Sequence, residues 1–417
     1  MSDIFAPQNP SRYEWDDDDL LINIGGEPAP EKHSGAYLTD RYRLNMGPQH
    51  PSTHGVLRLE LEMDGEAVLA VRPHIGYLHR CFEKHAENLP YQENIPFCDR
   101  MDYLASISMD MGYALTVERM MGLKVPERVE HIRIVTCELQ RIASHLVALG
   151  TFGLDMGAFT PFLWAFRDRE KILDLFEWLT GARMLYNYIW VGGVARDLPE
   201  GWPDKCRQFL RYFEPKLKDF NDLLSYNHIF IARTKDVGIL PKDIAISYGV
   251  TGPNLRGSGV DWDLRRDDPY SIYDRFDWKV VVGTGEHGPV GSCWDRYMVR
   301  IYEMSESIKL CHQALDAMPE GDVREMIPKK VRPPKGDAYV RTETPRGELG
   351  YYIISDGTDV PLRCKVRSPC FTAISAIDAI VQASKDPVLI ADAVATVGSI
   401  DIVLGLLQHQ VHGRSHQ

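Results

Sequence analysis

The densest cluster of chemically capable residues is Gly47-Pro48-Gln49-His50-Pro51-Ser52-Thr53-His54-Gly55, with two histidines four positions apart. Two imidazoles at that interval on a helix would suit a metal, but Pro51 between them prevents a regular helix from presenting both on one face. The residue types describe a rigid turn instead. A histidine aimed from such a turn into a cavity can donate a proton near neutral pH. The competing reading is a turn whose histidines bond only to backbone. The eight cysteines are Cys81, Cys98, Cys137, Cys206, Cys293, Cys311, Cys364 and Cys370, and none belongs to a C-x-x-C pair. No metal is expected on this chain, and its thiols are expected to be reduced and mostly buried.

The elements that must position such a turn are readable from periodicity. Leu57, Leu59, Leu61 and Met63 alternate with Arg58, Glu60 and Glu62, Asp64-Gly65 turns the chain, and Ala67 to Val71 returns as a second strand. Helical stripes follow: Leu104 to Met121 with Gly122 as stop, then a helix from Pro126 ending at Gly150. Further stripes cover 165–180 with Gly181 beyond it, Lys205 to Leu224, and Trp294 to Met318. A proline-rich linker at about 319–336 precedes strands at Ala338 to Arg341, Gly350 to Ser355 and Leu362 to Val366, and a last helix at Phe371 to Ser384. The fold class expected is α+β, a central helix bundle at about 100–318 flanked by small antiparallel β-sheets. Residues 1–40 read as an extended acidic arm, and 41–417 as a single domain. That domain has an N-terminal β element at about 41–75 and a C-terminal α+β part at about 337–417.

Composition narrows the function. The chain has 417 residues, 44% hydrophobic and 25% charged, with a formal net charge of -12. That supplies a core easily, and no basic stretch tracks a phosphate backbone, so nucleic acid is excluded as a partner. No uninterrupted apolar run reaches membrane-spanning length. Asp16 to Asp19 does not fit a secretion signal or a mitochondrial transit peptide, so the chain is expected in the cytosol or on a membrane only through partners.

Longer blocks carry a resemblance. Gly47 to Gly55 runs on into Val56-Leu57-Arg58-Leu59, followed by His74-Ile75-Gly76-Tyr77-Leu78-His79-Arg80 and Asp99-Arg100-Met101-Asp102-Tyr103. Then come Glu138 to Leu146, Asp155 to Arg169, and Pro345-Arg346-Gly347-Glu348-Leu349-Gly350-Tyr351-Tyr352. In this order they resemble the 49 kDa-type subunits of complex I, the proton-translocating NADH:quinone oxidoreductase. The resemblance implies a fold like that of nickel–iron hydrogenase large subunits and a quinone as substrate. Tyr103 and His54 would be the head-group donors, with His50 beside them and Asp155 holding His54. It also implies a small iron–sulfur partner subunit carrying the terminal [4Fe-4S] cluster, approached by Arg80 and Arg100. A 30 kDa-type subunit, a membrane-arm quinone-channel subunit and other complex I subunits would be further partners, at the cytoplasmic face of the inner membrane. Taken without the family, Tyr103 reads as an ordinary buried tyrosine, Asp155 as a helix cap or partner of Arg167, and the two arginines as surface charges.

Hydrogenases of that fold need a cysteine pair near each end to bind nickel and iron; here Val403 and Leu406 stand at the C-terminal positions, so that activity is not expected. Two departures from the complex I pattern stand out. Leu185 occupies a position where the family commonly has a histidine, with Trp190 where arginine is common. The C-terminal end has Leu406 in place of a glutamate and His409 in place of an arginine. Leu185 removes a titrating group, so the neighbouring cluster's potential is expected to vary little with pH. Ubiquinone or menaquinone, NADH or ferredoxin as electron source, and a purely structural subunit all remain compatible with the sequence.

Overall fold

The computed structural model describes residues 41–53, 55–384 and 386–406. The acidic arm, His54, and His409 with the tail beyond Leu406 lie outside the described residues.

Strand β2 (Arg58–Asp64) sits between β1 (Tyr42–Met46) and β3 (Ala67–His74), all antiparallel, with Leu44 opposite Leu61 and Leu61 opposite Val71. The alternation read from the sequence has its physical counterpart here. Leu57, Leu59, Leu61 and Met63 are fully buried while Arg58, Glu60 and Glu62 face outward. Val388–Leu389 closes the far edge by pairing with Ala67 and Val68.

Three long helices follow: α1 (Ser106–Met121), α2 (Glu127–Asp155) and α3 (Phe159–Thr180). Gly122 and Gly181 end α1 and α3 in the left-handed conformation that a glycine adopts without steric cost. Helix α2 does not stop at Gly150 as its stripe suggested. It continues to Asp155, because Gly150 is a close-packing position: a Cβ there would lie 3.3 Å from both Ala165 and Phe162 of α3. The helix expected over Lys205 to Leu224 is broken by Pro215 into α4 (Trp202–Phe213) and shorter turns. Helix α5 (Cys293–Asp316) packs on α2 through Tyr297, Ile301, Met304, Ile308 and Cys311.

The C-terminal part is a meander of β4 (Gly336–Thr344), β5 (Gly347–Ser355) and β6 (Arg363–Arg367). Thr344 pairs with Gly347, so Pro345 and Arg346 form the tip of a two-residue hairpin. Helix α1 lies on this sheet at Gly112, where a Cβ would be 3.1 Å from Thr342 and Tyr351. The single helix expected over Phe371 to Ser384 is two short ones, Pro369–Ser375 and Ile377–Gln382. A further helix, α6 (Ile390–Ile400), was not expected. Mixed helices and antiparallel sheets make the class α+β. No helix among the described residues is long and apolar enough to cross a membrane.

Candidate functional site

The histidine turn is rigid for identifiable reasons. Pro51–Thr53 forms one short helical turn, closed by Thr53 N–H and Thr53 Oγ1 donating to the His50 carbonyl at 3.2 and 2.9 Å. Leu57 N–H donates to Thr53 O at 3.2 Å and so leads the chain into the buried face of β2. Gly47 has φ +91°, and a Cβ there would lie 2.0 Å from the Leu57 carbonyl, so only glycine fits the base of the turn. Ser52 N–H donates to His50 Nδ1 at 3.2 Å, which leaves the ring proton on Nε2.

Asp155 comes to this turn from the far end of α2. It is the last residue of the helix, and its carboxylate receives a hydrogen bond from Ser52. Helix α6 presses on it from the other side: a Cβ on Gly398 would lie 2.6 Å from Asp155 Oδ2. Burial pushes the Asp155 carboxyl up to about 6, against the opposing pull of Ser52. Oδ2 is buried and has no hydrogen-bond partner among the described residues. Arg167, an alternative partner for Asp155, is bonded to Asp168 instead at 2.9 and 3.0 Å.

Tyr103 stands in the turn between the short helix Ile95–Asp99 and α1, half-buried. Burial raises its pKa, with Arg346 and Arg80 opposing and Asp102 and Asp401 adding to the rise, so the hydroxyl is protonated near neutral pH. The turn is pinned by Arg346 from the β4–β5 hairpin tip. Its guanidinium donates to Asp102 Oδ2 at 2.7 Å, Ser144 Oγ at 3.1 Å, Asp401 O at 3.1 Å and Asp401 Oδ1 at 3.2 Å. Arg80 donates to the Arg100 carbonyl, and burial lowers its pKa while Tyr103 opposes that shift. Arg80, Arg100 and Tyr103 therefore belong to one locality.

The segment 390–406 connects the two localities. Gly398 touches Asp155, Asp401 holds Arg346, and a Cβ on Gly405 would lie 2.5 Å from Met101 O and 2.8 Å from the Arg80 guanidinium. Arg346, Asp401, Gly398 and Gly405 were missed as site-forming residues. Arg346 lies inside one of the motif blocks, but nothing in its spacing signals that a hairpin tip carries it into the core. Val403 is buried, its N–H directed at Cys370 Sγ at 3.4 Å, and Leu406 is buried in an apolar cluster. Among the described residues no three histidine, cysteine or acidic side chains converge to hold a metal ion.

The loop before the Ile189–Trp190 strand carries the departures. Leu185 and Asn187 have φ 59° and 44°, and Asn187 N–H donates to Asp99 Oδ2 at 2.8 Å, beside the Tyr103 turn. Trp190 donates to Asn187 O at 2.9 Å, with Arg324 stacked 4.7 Å from its ring.

Comparison with known proteins agrees with the motif blocks. Residues 155–331 and 324–409 match the family described as respiratory-chain NADH dehydrogenase, 49 Kd subunit. An NADH-quinone oxidoreductase subunit of Chlorobium chlorochromatii is 56% identical over 371 residues, 88% of this chain and 92% of that protein. Its counterpart in Chlorobaculum tepidum is 55% identical over 371 residues, again 88% of this chain and 92% of that protein. The counterpart in Cytophaga hutchinsonii is 55% identical over 372 residues, 87% of this chain and 94% of that protein. The chain belongs to the 49 kDa subunit family of complex I and is a component of the NADH-quinone oxidoreductase.

Proposed function

We propose that this chain forms the quinone head-group site of the complex, on a hydrogenase-large-subunit-like fold within one domain over 41–417. Quinone reduction takes two electrons and two protons, and each carbonyl oxygen ends as a hydroxyl. Tyr103, kept protonated by burial, donates to one carbonyl oxygen; His54 donates to the other, with Asp155 behind it and His50 at the neighbouring edge. The electrons come from the [4Fe-4S] cluster of the small iron–sulfur subunit, which lies beyond Arg80 and Arg100. The chain sits on the cytoplasmic face, attached through that subunit, the 30 kDa-type subunit and the membrane-arm quinone-channel subunit.

The observation that carries the reading is the segment 390–406, which packs against Asp155 at one end and against the Tyr103–Arg80 turn at the other. The two groups of side chains therefore share one wall. Tyr103→Phe and His54→Ala in the assembled complex are the test. Each removes one donor aimed at developing charge and is expected to slow quinone reduction on the order of a hundredfold. NADH oxidation by an artificial acceptor upstream should persist. Assembled variants that reduce quinone at the parental rate would make the chain a structural subunit.

A further inference from the structure

Two carboxyl groups beside the Tyr103 turn take no part in holding the quinone. Asp99 ends the short helix Ile95–Asp99, and Asp110 lies one turn into α1; both are fully buried. Asp99 Oδ2 accepts the Asn187 N–H at 2.8 Å. Among the described residues, Asp99 Oδ1 and both Asp110 oxygens find no donor of good geometry, yet the two side chains lie within hydrogen-bond reach of each other and the Tyr188 amide acts on Asp110. The groups facing them are Cys98 on the same short helix, Cys137 on α2, Tyr186 in the loop, Tyr351 on β5, and Arg100. Arg100 is the cation acting on both, and its guanidinium is exposed and turned to the Pro96 carbonyl.

Two buried carboxyls in contact cannot both ionise without a cation between them. One proton gives the pair the donor it lacks: the oxygen that carries it donates and one oxygen of the other carboxyl accepts. We infer that Asp99 and Asp110 form a proton-binding site, in which one proton carried by Asp110 and donated to Asp99 fixes the Tyr103 turn to the loop 185–188. Asp99 is the ionised member because the Asn187 amide bonds it at 2.8 Å, while the Tyr188 amide, which also favours charge on Asp110, makes no bond of that geometry. Burial raises both groups, Asp99 to about 6 and Asp110 further, in keeping with that order.

The proton has a mechanical consequence. Asp99 holds Asn187 in a left-handed conformation that an asparagine tolerates, and Ser106 Oγ donates to the Asp99 carbonyl at 3.2 Å, tying the same residue to the start of α1. Loss of the proton sets a second buried charge against Asp99. The clamp between loop and turn then loosens, and Tyr103 with it. The pair is thus a positioning device for the donor, a role that rests on the quinone reading; the proton itself does not.

The experiment uses the whole complex with Asp110→Asn, whose amide mimics the bound proton permanently, and Asp99→Asn as the second variant. Infrared difference spectra between neutral and alkaline pH should show a carboxylic-acid C=O band, shifted in heavy water, that Asp110→Asn lacks and Asp99→Asn moves in frequency. Amide exchange over 99–105 and 185–188 should quicken about tenfold beyond the chemical trend per pH unit above the pair's titration, and stay flat in Asp110→Asn. The quinone KM should rise over the same range in the parent alone. An identical band in parent and variants overturns the pair whatever the kinetics. A band and exchange that behave as expected with an unmoved KM support the pair and count against Tyr103 as the quinone donor.

Discussion

Replacing Arg346 by methionine tests the packing logic of the site most directly. The guanidinium is buried between Asp102 and Asp401, and methionine keeps much of its volume while removing the charge and four hydrogen bonds. The variant leaves Asp102 fully buried without a cation. Breaking such a pair from one side costs about 3–5 kcal/mol. That figure is consistent with losing two charge-assisted bonds of about 1.5–3 kcal/mol each. Because Arg346 ties the 99–105 turn to the segment ending at Leu406, the loss is expected as local opening. Amide exchange there should accelerate by between roughly two and four powers of ten. The sign of the pH dependence follows from Asp102. Burial already holds its carboxyl above the ordinary range despite the arginine, and removing the arginine raises it further. A raised carboxyl contributes fully below the unfolded pKa and loses that contribution as pH rises through the folded value. The penalty should therefore be smallest in acid and grow as pH rises. Exchange mass spectrometry of the assembled complex measures both, and Asp102→Asn combined with Arg346→Met should recover much of the loss. Parental exchange in the single variant, or a penalty larger in acid, would refute the reasoning.

Asp155→Asn removes a carboxyl that burial holds at about 6, so the pH profile of quinone reduction should lose its inflection near that value. A profile still inflecting there would separate Asp155 from the chemistry. With Leu185 in the loop over Asp99, redox titrations of the partner's cluster at several pH values should give a nearly flat dependence, and Leu185→His should restore a slope. A slope near one proton per electron in the parent would sink that expectation.

Periodicity and breakers account for how much of the fold could be read in advance. The hairpin at Leu57–Met63 was legible because one face is fully buried and the other carries charge, so alternation survives intact. Helices α1 and α3 were legible at their C-termini because Gly122 and Gly181 do what a stop glycine does. Gly150 was misread by the same rule: at that position the missing Cβ serves contact with α3, and no local signal separates the two uses. Helix α6 was overlooked because its residues are mostly small and apolar, and its few polar ones include Thr396 and Ser399, which are buried. Its start signal, Asp392 accepting the Leu389 N–H at 3.1 Å, is one acid three positions inside an Ala-rich run.

The site was less legible than the fold, because its supports are charges inside the core. Glu138, Arg141 and His145 on α2 and Arg300 and Glu303 on α5 are all buried. A hydropathy stripe assigns such residues to a solvent face. They are instead spent on one another: Arg141 on Glu138 at 3.1 Å, His145 on Glu303 at 2.9 Å, and Arg256 on Glu303 and Glu343 at 2.8 Å. Such pairs offset little more than their own desolvation, but His145 to Glu303 and Ser307 to Glu138, at 2.6 Å, join α2 to α5 and would be broken if the helices slid, so these contacts fix register rather than add stability. Asp155 ends the first of those helices and Arg346 bonds Ser144 on it, so the register of α2 sets where both site localities fall. The C-terminal departure is intelligible in the same terms. Leu406 is fully buried in the apolar cluster beneath the Tyr103 turn, next to Gly405, which abuts Arg80. A glutamate at 406 would bring a carboxylate into that cluster near Arg80, whereas leucine leaves the guanidinium turned to the Arg100 carbonyl, where burial rather than an acid governs its pKa.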